Sequence, residues 1–438
     1  MECAFKTKLT FSETDSAIID GQSRILNWTY NHLLEFANKV KMTNEGTEKD
    51  LKTVFSKRGL RNQLPELKIK YSFLKSVHSS PLKNAALRLS EGIEAYQKSR
   101  KGKRKGKPMG WPKYRKWSEK YFSLLYDEPK KGFKVSGQKL SLSLGTNNDG
   151  KRLKVVGELE TSPFSLDNQE IRNLRIKKDM GEYFAIFTVK RSPPAKKSQT
   201  RIIAFDPNHK NLAYGVDIDG MAIEIENPWF LKTRQKRIDL LKAKRDKCKR
   251  RSQLLESQSG KKYWRPSRRW LFFNKKLEME YAKRRDQTKQ FLFTFSHHLC
   301  RYYDVISVGD YTPRGGGINR GMRRAMNNES LIGRFKLTLG WVAQKSGKYA
   351  DEWQERNSTK TCHRCQKKLE ESLPPKIREW DCPNCHFHHI RDENAALNGL
   401  LQVSQKFKLP CSGHRSFEVN DRWALYFDGL GLACRSGV

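Results

Sequence analysis

Residues 361–400 read TCHRCQKKLEESLPPKIREWDCPNCHFHHIRDENAALNGL. Two CxxC pairs, sixteen residues apart, stand in this stretch: Cys362, Cys365, Cys382 and Cys385. Each pair offers two thiolates from one tight turn, and a structural Zn²⁺ ion binds four such ligands as a tetrahedron, so the spacing predicts a zinc ribbon. Because four thiolates already satisfy the ion, we expect the neighbouring histidines to be nucleic-acid contacts or surface residues. They are His363, His386, His388 and His389.

Asp392 follows the ribbon and begins a helical pattern in which Ala395, Ala396 and Gly399 share its face. Small residues on that face allow the helix to pack close to a sheet. A carboxylate at the start of a helix directly after a zinc ribbon indicates that the ribbon is inserted into a catalytic domain, just ahead of a metal-binding acid. This arrangement points to nucleic-acid chemistry.

The chain of 438 residues has a formal net charge of +40, from 87 Lys and Arg against 47 Asp and Glu. This charge predicts several domains and a nucleic-acid partner, since a ribosomal-type basic protein rarely carries 11% aromatic residues. No apolar run has the length of a membrane helix and the N-terminus does not resemble a signal peptide, so we expect an intracellular protein with no membrane partner. The cysteines outside the ribbon fit a reducing compartment, as core or surface thiols. They are Cys3, Cys248, Cys300, Cys411 and Cys434.

The first half of the chain changes from a helical to a strand pattern. Residues 13–100 show helical periodicity, with an apolar stripe from Leu26 to Val40, and predict a helix-on-helix core. A basic run at 98–117 precedes alternating strands that include a turn at 179–181. The run is either a solvated linker or a nucleic-acid contact whose aromatic rings stack on bases or sugars. These aromatic residues are Trp111, Tyr114 and Trp117.

Residues 202–226, IIAFDPNHKNLAYGVDIDGMAIEIE, predict three strands joined by turns, with Asp206 at the end of the first. RNase H-like nucleases present their first metal ligand in this way. The basic helical stretch 228–302 is either a solvated face or two arms that grip a nucleic-acid backbone. Before the ribbon come a fourth strand, a Gly/Arg-rich loop, a helix and a short strand: 305–310, 314–324, 331–347 and 349–355.

Phosphodiester hydrolysis by two metal ions needs about three carboxylates that converge within a few ångströms. Asp206 and Asp392 can supply the first and the last of these. Either residue alone is more simply explained as a turn or N-cap aspartate. Together, in this order around a zinc ribbon, they predict a metal site.

With these motifs the chain resembles TnpB, the transposon-encoded RNA-guided nuclease, and the compact type V CRISPR effectors. The resemblance rests on IIAFDPNHKNLAYGVD, VISVGDYTP and the ribbon with its following helix; it covers residues 200–401 in detail and 1–199 only in layout. It implies an α/β multidomain fold: an RNase H-like (RuvC) core with an inserted zinc ribbon, a helical recognition lobe and a wedge β-barrel. The implied activity is Mg²⁺-dependent cleavage of guide-complementary DNA next to a short motif that the protein reads. It further implies one structural Zn²⁺, two catalytic Mg²⁺, guide RNA and target double-stranded DNA as partners, and the prokaryotic cytoplasm.

The domain boundaries follow from the same resemblance. In chain order we expect the first barrel strand, the helical lobe, the remaining barrel, the nuclease domain with its arms, the ribbon, a second nuclease segment and a C-terminal tail. Their ranges are 1–12, 13–100, 101–198, 199–355 with arms at 228–302, 356–388, 389–402 and 403–438. The tail is expected to be either a docked strand or a disordered end.

The middle acid departs from the family pattern. The family usually ends its fourth strand with Glu-Asp-Leu, whereas this chain has Gly309, Asp310 and Tyr311. Some branches place a glutamate shortly before the first ribbon cysteine instead, and Glu355 stands seven residues before Cys362. Because side chains alternate along a strand, Asp310 is expected on the face opposite to that of residue 309. The expected catalytic set is Asp206, Glu355 and Asp392, with Asp310 as the alternative middle acid.

Nucleic-acid contacts are expected along the basic run and the arms: Lys103, Arg104, Lys105, Lys107, Trp111, Lys113, Arg115, Arg250, Arg251, Arg268, Arg269, Arg284 and Arg285. Three functions stay open. They are an active RNA-guided nuclease, a nuclease-inactive RNA-guided repressor that would result from loss of the middle acid, and a protein-only resolvase or transposase with an RNase H-like core. The oligomeric state stays open between monomer and dimer.

Overall fold

The computed structural model divides the chain into two compact units, Met1–Ser192 and Pro193–Val438. It describes residues 2–43, 47–104, 106–147, 149–162, 170–192, 194–195, 200–256, 260, 262–311, 330–371, 373–374, 376–408, 417–429 and 431–436. Cys411 and the loop predicted at 314–324 lie outside these ranges. Within them, no helix combines the length and the apolar character that crossing a membrane requires.

The N-terminal unit combines helices with one antiparallel sheet of seven strands. Its helices are α1 (Glu13–Thr43), α2 (Glu48–Phe55), α3 (Gly59–Asn62), α4 (Leu64–Lys70) and α5 (Ser79–Arg100), with a 3-10 turn at Ser72–Ser76. Its strands are β1 (Glu2–Phe11), β2 (Phe122–Tyr126), β3 (Phe133–Ser136), β4 (Lys139–Thr146), β5 (Arg152–Leu159), β6 (Glu170–Asp179) and β7 (Glu182–Lys190). The strand order is β2-β6-β7-β1-β5-β4-β3. The first strand of the chain therefore lies in the middle of a sheet whose other strands come more than a hundred residues later.

Helices and sheet of this unit share one hydrophobic core. The predicted stripe from Leu26 to Val40 on α1 is buried, and it belongs to the same core as Phe187 of β7. This differs from the helix-on-helix core that the sequence predicted, because helical periodicity shows which face is apolar but not which element covers it. The predicted turn after β6 is confirmed, since Met180 and Gly181 both have positive φ, 56° and 92°, as a tight hairpin turn requires.

The C-terminal unit is built on a mixed sheet with strand order β14-β13-β8-β9-β10-β17-β18. These strands are β8 (Ile202–Pro207), β9 (Ala213–Asp217), β10 (Met221–Ile225), β13 (Val305–Gly309), β14 (Tyr349–Trp353), β17 (Asp421–Phe427) and β18 (Leu432–Ser436). The first three form an antiparallel meander, while β13 runs parallel to both β8 and β14. The carboxyl ends of β8, β13 and β14 therefore meet at one edge of the sheet.

Helices cover both faces of this sheet. They are α6 (Phe230–Lys247), α7 (Arg268–Tyr302), α8 (Ile332–Ser346) and α9 (Arg391–Lys406). Along β8 the side chains alternate: Ile203 and Phe205 share a core with α7 and α8, whereas Ile202 and Ala204 share a core with α9. Asp206, two residues after Ala204, belongs by the same alternation to the face that α9 covers.

Two segments differ from their predicted form. The basic stretch 228–302 is not continuous helix, because an antiparallel ribbon of β11 (Gln253–Glu256) and β12 (Lys262–Arg265) separates α6 from α7. The segment after residue 402 contributes β17, parallel to β10, and β18. Of the two alternatives for the tail, the docked strand is therefore the one found between 421 and 436.

Candidate metal centre and zinc ribbon

The expected carboxylates lie at the sheet edge where β8, β13 and β14 end. Asp206 is the fifth residue of β8, Glu355 follows β14 by two residues, and Asp392 is the second residue of α9. Trp353 packs in the same core as α9, and Glu355 has the same strand parity as Trp353. Sequence order separates these three acids widely, and the parallel strands bring them to one place.

The Asp206 carboxyl is buried in this edge. Burial raises the pKa of Asp206 well above its ordinary range, and the negative charges of Glu355 and Asp392 raise it further, while Arg391 and Arg378 oppose the shift. A carboxyl group is perturbed by neighbouring carboxylates in this way only when they are close. The charges of Glu355 and Asp392 therefore both act on Asp206, and the two arginines offset the shift only in part.

Glu355 occupies space that a side chain at position 309 would need. A Cβ added to Gly309 would lie 2.5 Å from the Cδ of Glu355 and nearer still to its Oε1. Oε1 is buried and has no hydrogen-bond partner. Burial raises the pKa of Glu355 to about 7, with Lys336 opposing the shift and Asp310 adding to it. A carboxyl group that enters from the neighbouring strand thus fills the space beside Gly309 at the end of the fourth strand.

Asp310, the alternative middle acid, has a different place. It is exposed, and its Oδ1 accepts a hydrogen bond from the backbone N–H of Glu355 at 3.1 Å. The backbone N–H of Asp310 donates to the carbonyl of Trp353 at 2.9 Å. The Asp310 charge raises the pKa of Glu355 but is absent from the groups that shift Asp206. Asp310 therefore holds the backbone that presents Glu355.

Two polar residues beside Asp392 were not predicted from the sequence. Nη1 of Arg378 lies 3.1 and 3.2 Å from the two carboxylate oxygens of Asp392, and Nδ2 of Asn208 donates to Oδ2 at 3.3 Å. Asn208 is itself oriented by the N–H of Asn211, which donates to its Oδ1 at 2.8 Å. Arg378 comes from the ribbon, so its approach to Asp392 depends on a fold that spacing alone does not reveal.

The four ribbon cysteines converge. Their sulfur atoms all lie within 4.8 Å of one another, and two Sγ–Sγ distances are 3.6 Å, Cys362 to Cys385 and Cys365 to Cys382. Zn–S bonds of about 2.3 Å in a tetrahedron require sulfur separations of about 3.8 Å, so the cluster fits Zn²⁺. The strands β15 (Glu379–Asp381) and β16 (His388–Ile390) pair beside it.

The prediction for two of the ribbon histidines is wrong. His363 and His389 are buried, and Nε2 of His389 lies 3.1 Å from the Sγ of Cys362. Burial lowers the pKa of His389 to about 4, so this imidazole is neutral. His386 and His388 are exposed, as expected. Saturation of the zinc by four thiolates does not leave every histidine for the surface, because the small ribbon needs core residues of its own.

The ribbon is also bonded to the helix that carries Asp392. The side-chain amides of Asn394 and Asn398 each donate to the carbonyls of Ser358 and Thr361, at 2.7–3.0 Å. Gly399 lets α9 approach β14, since a Cβ there would lie 2.8 Å from the Cδ2 of Trp353. The spacing of the two asparagines by one helical turn was a signal in the sequence that pointed to one shared partner.

The basic run before the N-terminal strands packs onto α1. Nε1 of Trp111 donates to Asn38 at 2.8 Å and Nε1 of Trp117 donates to Ser23 at 2.9 Å, while Arg115 is half-buried. The two indole rings are therefore half-buried against α1, and the nucleic-acid contact of this run stays a prediction. Exposed cations flank them: Lys103, Arg104, Lys107 and Lys113. Lys105 lies outside the described residues.

The predicted arm cations fall into two groups. Those exposed are Arg250, Arg251, Arg268, Arg269 and Arg285. Arg284 is half-buried, and its Nη1 donates to the Oε1 of Gln235 at 2.5 Å. Arg285 bonds the adjacent Asp286 through Nε at 2.8 Å. Arg250, Arg251, Arg268 and Arg269, which flank the ribbon at the tip of the arm, are thus all exposed.

Comparison with known proteins gives three informative similarities. Residues 333–399 match the model described as "Cas12f1-like, TNB domain". Two Mycobacterium tuberculosis proteins, from different strains and named as candidate RNA-guided DNA endonucleases, are each 23% identical over 339 residues, which is 71% of this chain and 66% of theirs. A cryo-EM structure of a Cas12f1–sgRNA–target DNA complex aligns at a TM-score of 0.55 and 12% identity, over 89% of this chain and 83% of that one.

These similarities confirm the resemblance to the TnpB-like compact type V effectors and the α/β multidomain fold. The chain spans just under two thirds of the length of its curated relatives. At 12% identity the Cas12f1 structure speaks for the fold alone.

Proposed function

We propose that the chain is an RNA-guided DNA endonuclease that cleaves guide-complementary DNA next to a short duplex motif read by the protein. One arrangement supports the proposal: Asp206 and Glu355 stand where β8 and β14 end at one sheet edge, and Asp392 contacts Asn208 just after β8. The charges of Glu355 and Asp392 raise the pKa of Asp206, and Glu355 fills the space above Gly309. A clustered set of acids that destabilises itself in the absence of a counter-charge is typical of a metal site rather than of a structural ion pair.

The donor set suits two Mg²⁺ ions. Mg²⁺ prefers carboxylate oxygens, and the unpartnered buried Oε1 of Glu355 together with the raised pKa of Asp206 indicates a site that a cation would stabilise. Asp206, Glu355 and Asp392 would hold the ions. When bound, a pair of such ions activates a water and stabilises the leaving oxygen of a phosphodiester.

The protein residues around the acids have roles of their own. Asp310 and Asn208 orient the carboxyl groups of Glu355 and Asp392 through the backbone and side-chain hydrogen bonds already described. Arg378 neutralises Asp392 from the ribbon side. Since the ribbon also bonds α9 through Asn394, zinc binding and the position of Asp392 are linked in this proposal.

A cleft in the N-terminal unit suits the duplex motif. It has a volume of about 490 Å³ and is lined by α1, α5 and the segment before β2, with Asn27, Asn84, Arg88 and Arg115 among its residues. Burial lowers the pKa of Arg115, and the nearby charge of Arg88 lowers it further. Within the described residues neither arginine pairs with a carboxylate. The exposed Arg88 and the half-buried Arg115, beside amide side chains, can bind phosphates and base edges.

The repressor alternative depended on loss of the middle acid, and Glu355 supplies one, so we favour the active nuclease. The protein-only resolvase or transposase has no need of a bound RNA. Purification of the full chain with its native flanking transcripts, followed by sequencing of the bound RNA, separates this alternative from the first two. Absence of any bound RNA species contradicts guided recognition.

Cleavage of a guide-matched duplex tests the catalytic set. We expect Mg²⁺-dependent cutting by the wild type, and its abolition in Asp206→Ala, Glu355→Ala and Asp392→Ala with RNA and DNA binding nearly intact. Asp310→Ala removes only the acceptor of the Glu355 backbone N–H, so it should lower cleavage but leave it measurable. A dead Asp310→Ala together with an active Glu355→Ala inverts the assignment. A wild type that never cuts with Mg²⁺ and a matched guide establishes the repressor instead.

A further inference from the structure

The arm formed by α6 and α7 exposes large apolar side chains at its tip. In the ribbon of β11 and β12, Leu254 lies opposite Trp264 and Leu255 opposite Tyr263. Leu254 is 52% exposed, Tyr263 50% and Trp264 56%. Because side chains alternate, the two rings lie on opposite faces of the ribbon. A two-stranded ribbon is marginally stable in water, and clustered exposed apolar groups mark an interaction surface.

Below the tip, the arm is held together by its own contacts. Ile238 of α6 packs with Leu277 of α7 in a small buried core. The buried carboxylate of Glu280 pairs with Nη1 of Arg234 at 2.8 Å and with Nε of Arg237 at 3.0 Å. These interactions hold the two helices of the stalk together and neutralise two of its arginines. The ribbon of β11 and β12 is therefore held at the end of a packed pair of helices.

The net positive charge of the tip favours an anionic ligand. Residues 247–276 contain eleven Lys and Arg and a single acid, Glu256. Within the described part of the chain, four exposed guanidinium groups form no ion pair or hydrogen bond: Arg250, Arg251, Arg268 and Arg269. The last two stand in the first turn of α7, where the positive end of the helix dipole disfavours cations. An anion bound at the tip removes both repulsions.

Aromatic rings and cations lie side by side at the tip of the arm. The Nζ of Lys249 lies 5.7 Å from the ring centroid of Trp264, and the Nζ of Lys276 lies 4.3 Å from that of Phe272. Proteins that hold single-stranded nucleic acid combine rings that stack on bases with cations that neutralise phosphates. An apolar protein partner would leave the charge unexplained, and duplex DNA keeps its bases inside the stack.

We propose that this tip, residues 249–256 and 262–272, binds an unpaired stretch of RNA, with bases stacked on Trp264 on one face of the ribbon and on Tyr263 on the other, and phosphates held by the tip arginines. RNA is favoured because its loops and bulges present unstacked bases before any target is opened, whereas target DNA exposes a single strand only after guide pairing has displaced it. The proposal rests on the proposed function for its RNA. It adds a base-stacking site to arms for which the sequence predicted only backbone contacts.

The test uses the full chain and a polyuridylate RNA that contains a single 2-aminopurine, whose fluorescence is quenched by stacking. In the Tyr263→Ala/Trp264→Ala variant we expect Kd to rise at least about fivefold and the quenching to disappear, with the salt dependence unchanged. Arg268→Ala/Arg269→Ala should instead lower the slope of log Kd against log salt by roughly 1–2. Leu337→Ala, 78% exposed and outside the arm, is the control and should bind as the wild type does.

Wild-type affinity and quenching in the aromatic variant overturn the proposal. A larger loss for single-stranded DNA than for RNA overturns the choice of RNA. A changed sedimentation coefficient with unchanged RNA binding assigns the tip to a second copy of the chain and also overturns it. Cleavage is a separate readout: a wild type that binds the probe but never cuts contradicts the proposed function alone.

Discussion

Replacing Gly309 by alanine should disable cleavage although no carboxylate is removed. The new Cβ would lie 2.5 Å from the Cδ of Glu355 and nearer to Oε1, whereas Cβ contacts below 3.0 Å are essentially never observed. The backbone on either side is fixed, because Gly309 is paired with Trp353 and the N–H of Asp310 donates to the Trp353 carbonyl. The glutamate carboxyl group must therefore be the part that moves.

The size of the effect follows from that overlap. Oε1 has to retreat by about 1 Å, and a misplacement of this size near reacting groups costs about 10²-fold in rate. Overpacking of one methyl group costs about 1–3 kcal/mol of unfolding free energy. Because Glu355 is only partly buried, its side chain can turn outward, and we expect the lower end of that range. Activity should thus fall far more than stability.

Single-turnover cleavage of a guide-matched duplex, beside urea unfolding of the same preparation, measures both quantities. Gly340→Ala is the matched control: Gly340 lies in α8, and no atom lies within 4 Å of the added Cβ. It should cleave as the wild type does. Wild-type cleavage by Gly309→Ala would refute the placement of the Glu355 carboxyl at the metal centre.

A relocated acid extends the same reasoning. In Gly309→Asp/Glu355→Ala, the new carboxyl carbon lies about 1.5 Å beyond the Cβ of residue 309, in the space that the Glu355 carboxyl vacates. We expect this double variant to cleave measurably, while Glu355→Ala alone does not. If both variants are inactive while their stability is unchanged, the strand from which the carboxyl group enters matters, and not only the position of that group.

Three further predictions concern the rest of the unit. Cys382→Ser should lose the zinc measured by atomic emission and lower the unfolding midpoint, whereas full zinc occupancy would refute the ligand set. Burial raises the pKa of Glu355 from 4.5 to about 7. Its ionisation therefore lowers the unfolding free energy of the Mg²⁺-free chain as the pH rises through 7. In urea unfolding, Glu355→Gln should be more stable than the wild type by about 1–2 kcal/mol near pH 8 and equal to it near pH 4. Arg422→Ala should lower the unfolding free energy, measured in urea, by about 1–3 kcal/mol, because the buried Glu393 loses the guanidinium that contacts both of its carboxylate oxygens. Arg435→Ala removes an exposed ion pair and should lower the unfolding free energy by less than about 1 kcal/mol.

The sequence predicted the parts of the site that depend on local order. The four cysteines, Asp206 at a strand end and Asp392 at a helix start are each signalled by spacing and by the switch from a strand to a helical period. Alternation along the strand also predicts that Gly309 and Asp310 face opposite sides. These inferences succeeded because strand parity and CxxC geometry are short-range properties of the chain.

What the sequence did not predict depends on contacts between distant segments. The parallel pairing of β17 with β10 joins residues two hundred positions apart, and no periodicity within 421–427 indicates which strand it will meet. Arg378 lies in the ribbon, and its contact with Asp392 exists only after β15 and β16 have paired. The burial of His389 has the same origin, since a small ribbon recruits its core from residues that look polar.

The position of Asp392 illustrates how these distant contacts serve the site. Its neighbour Glu393 is buried, accepts from the hydroxyl of Tyr214 at 2.9 Å and pairs with Arg422 of β17. In the same turn, Asn394 bonds the ribbon. The start of α9 is thus fixed from the meander, the C-terminal strand and the ribbon at once, so Asp392 can keep a carboxylate beside Asp206 despite their repulsion. Residues that never touch a metal hold the helix in place, and loss of any one of them should act on the site through the geometry of this turn.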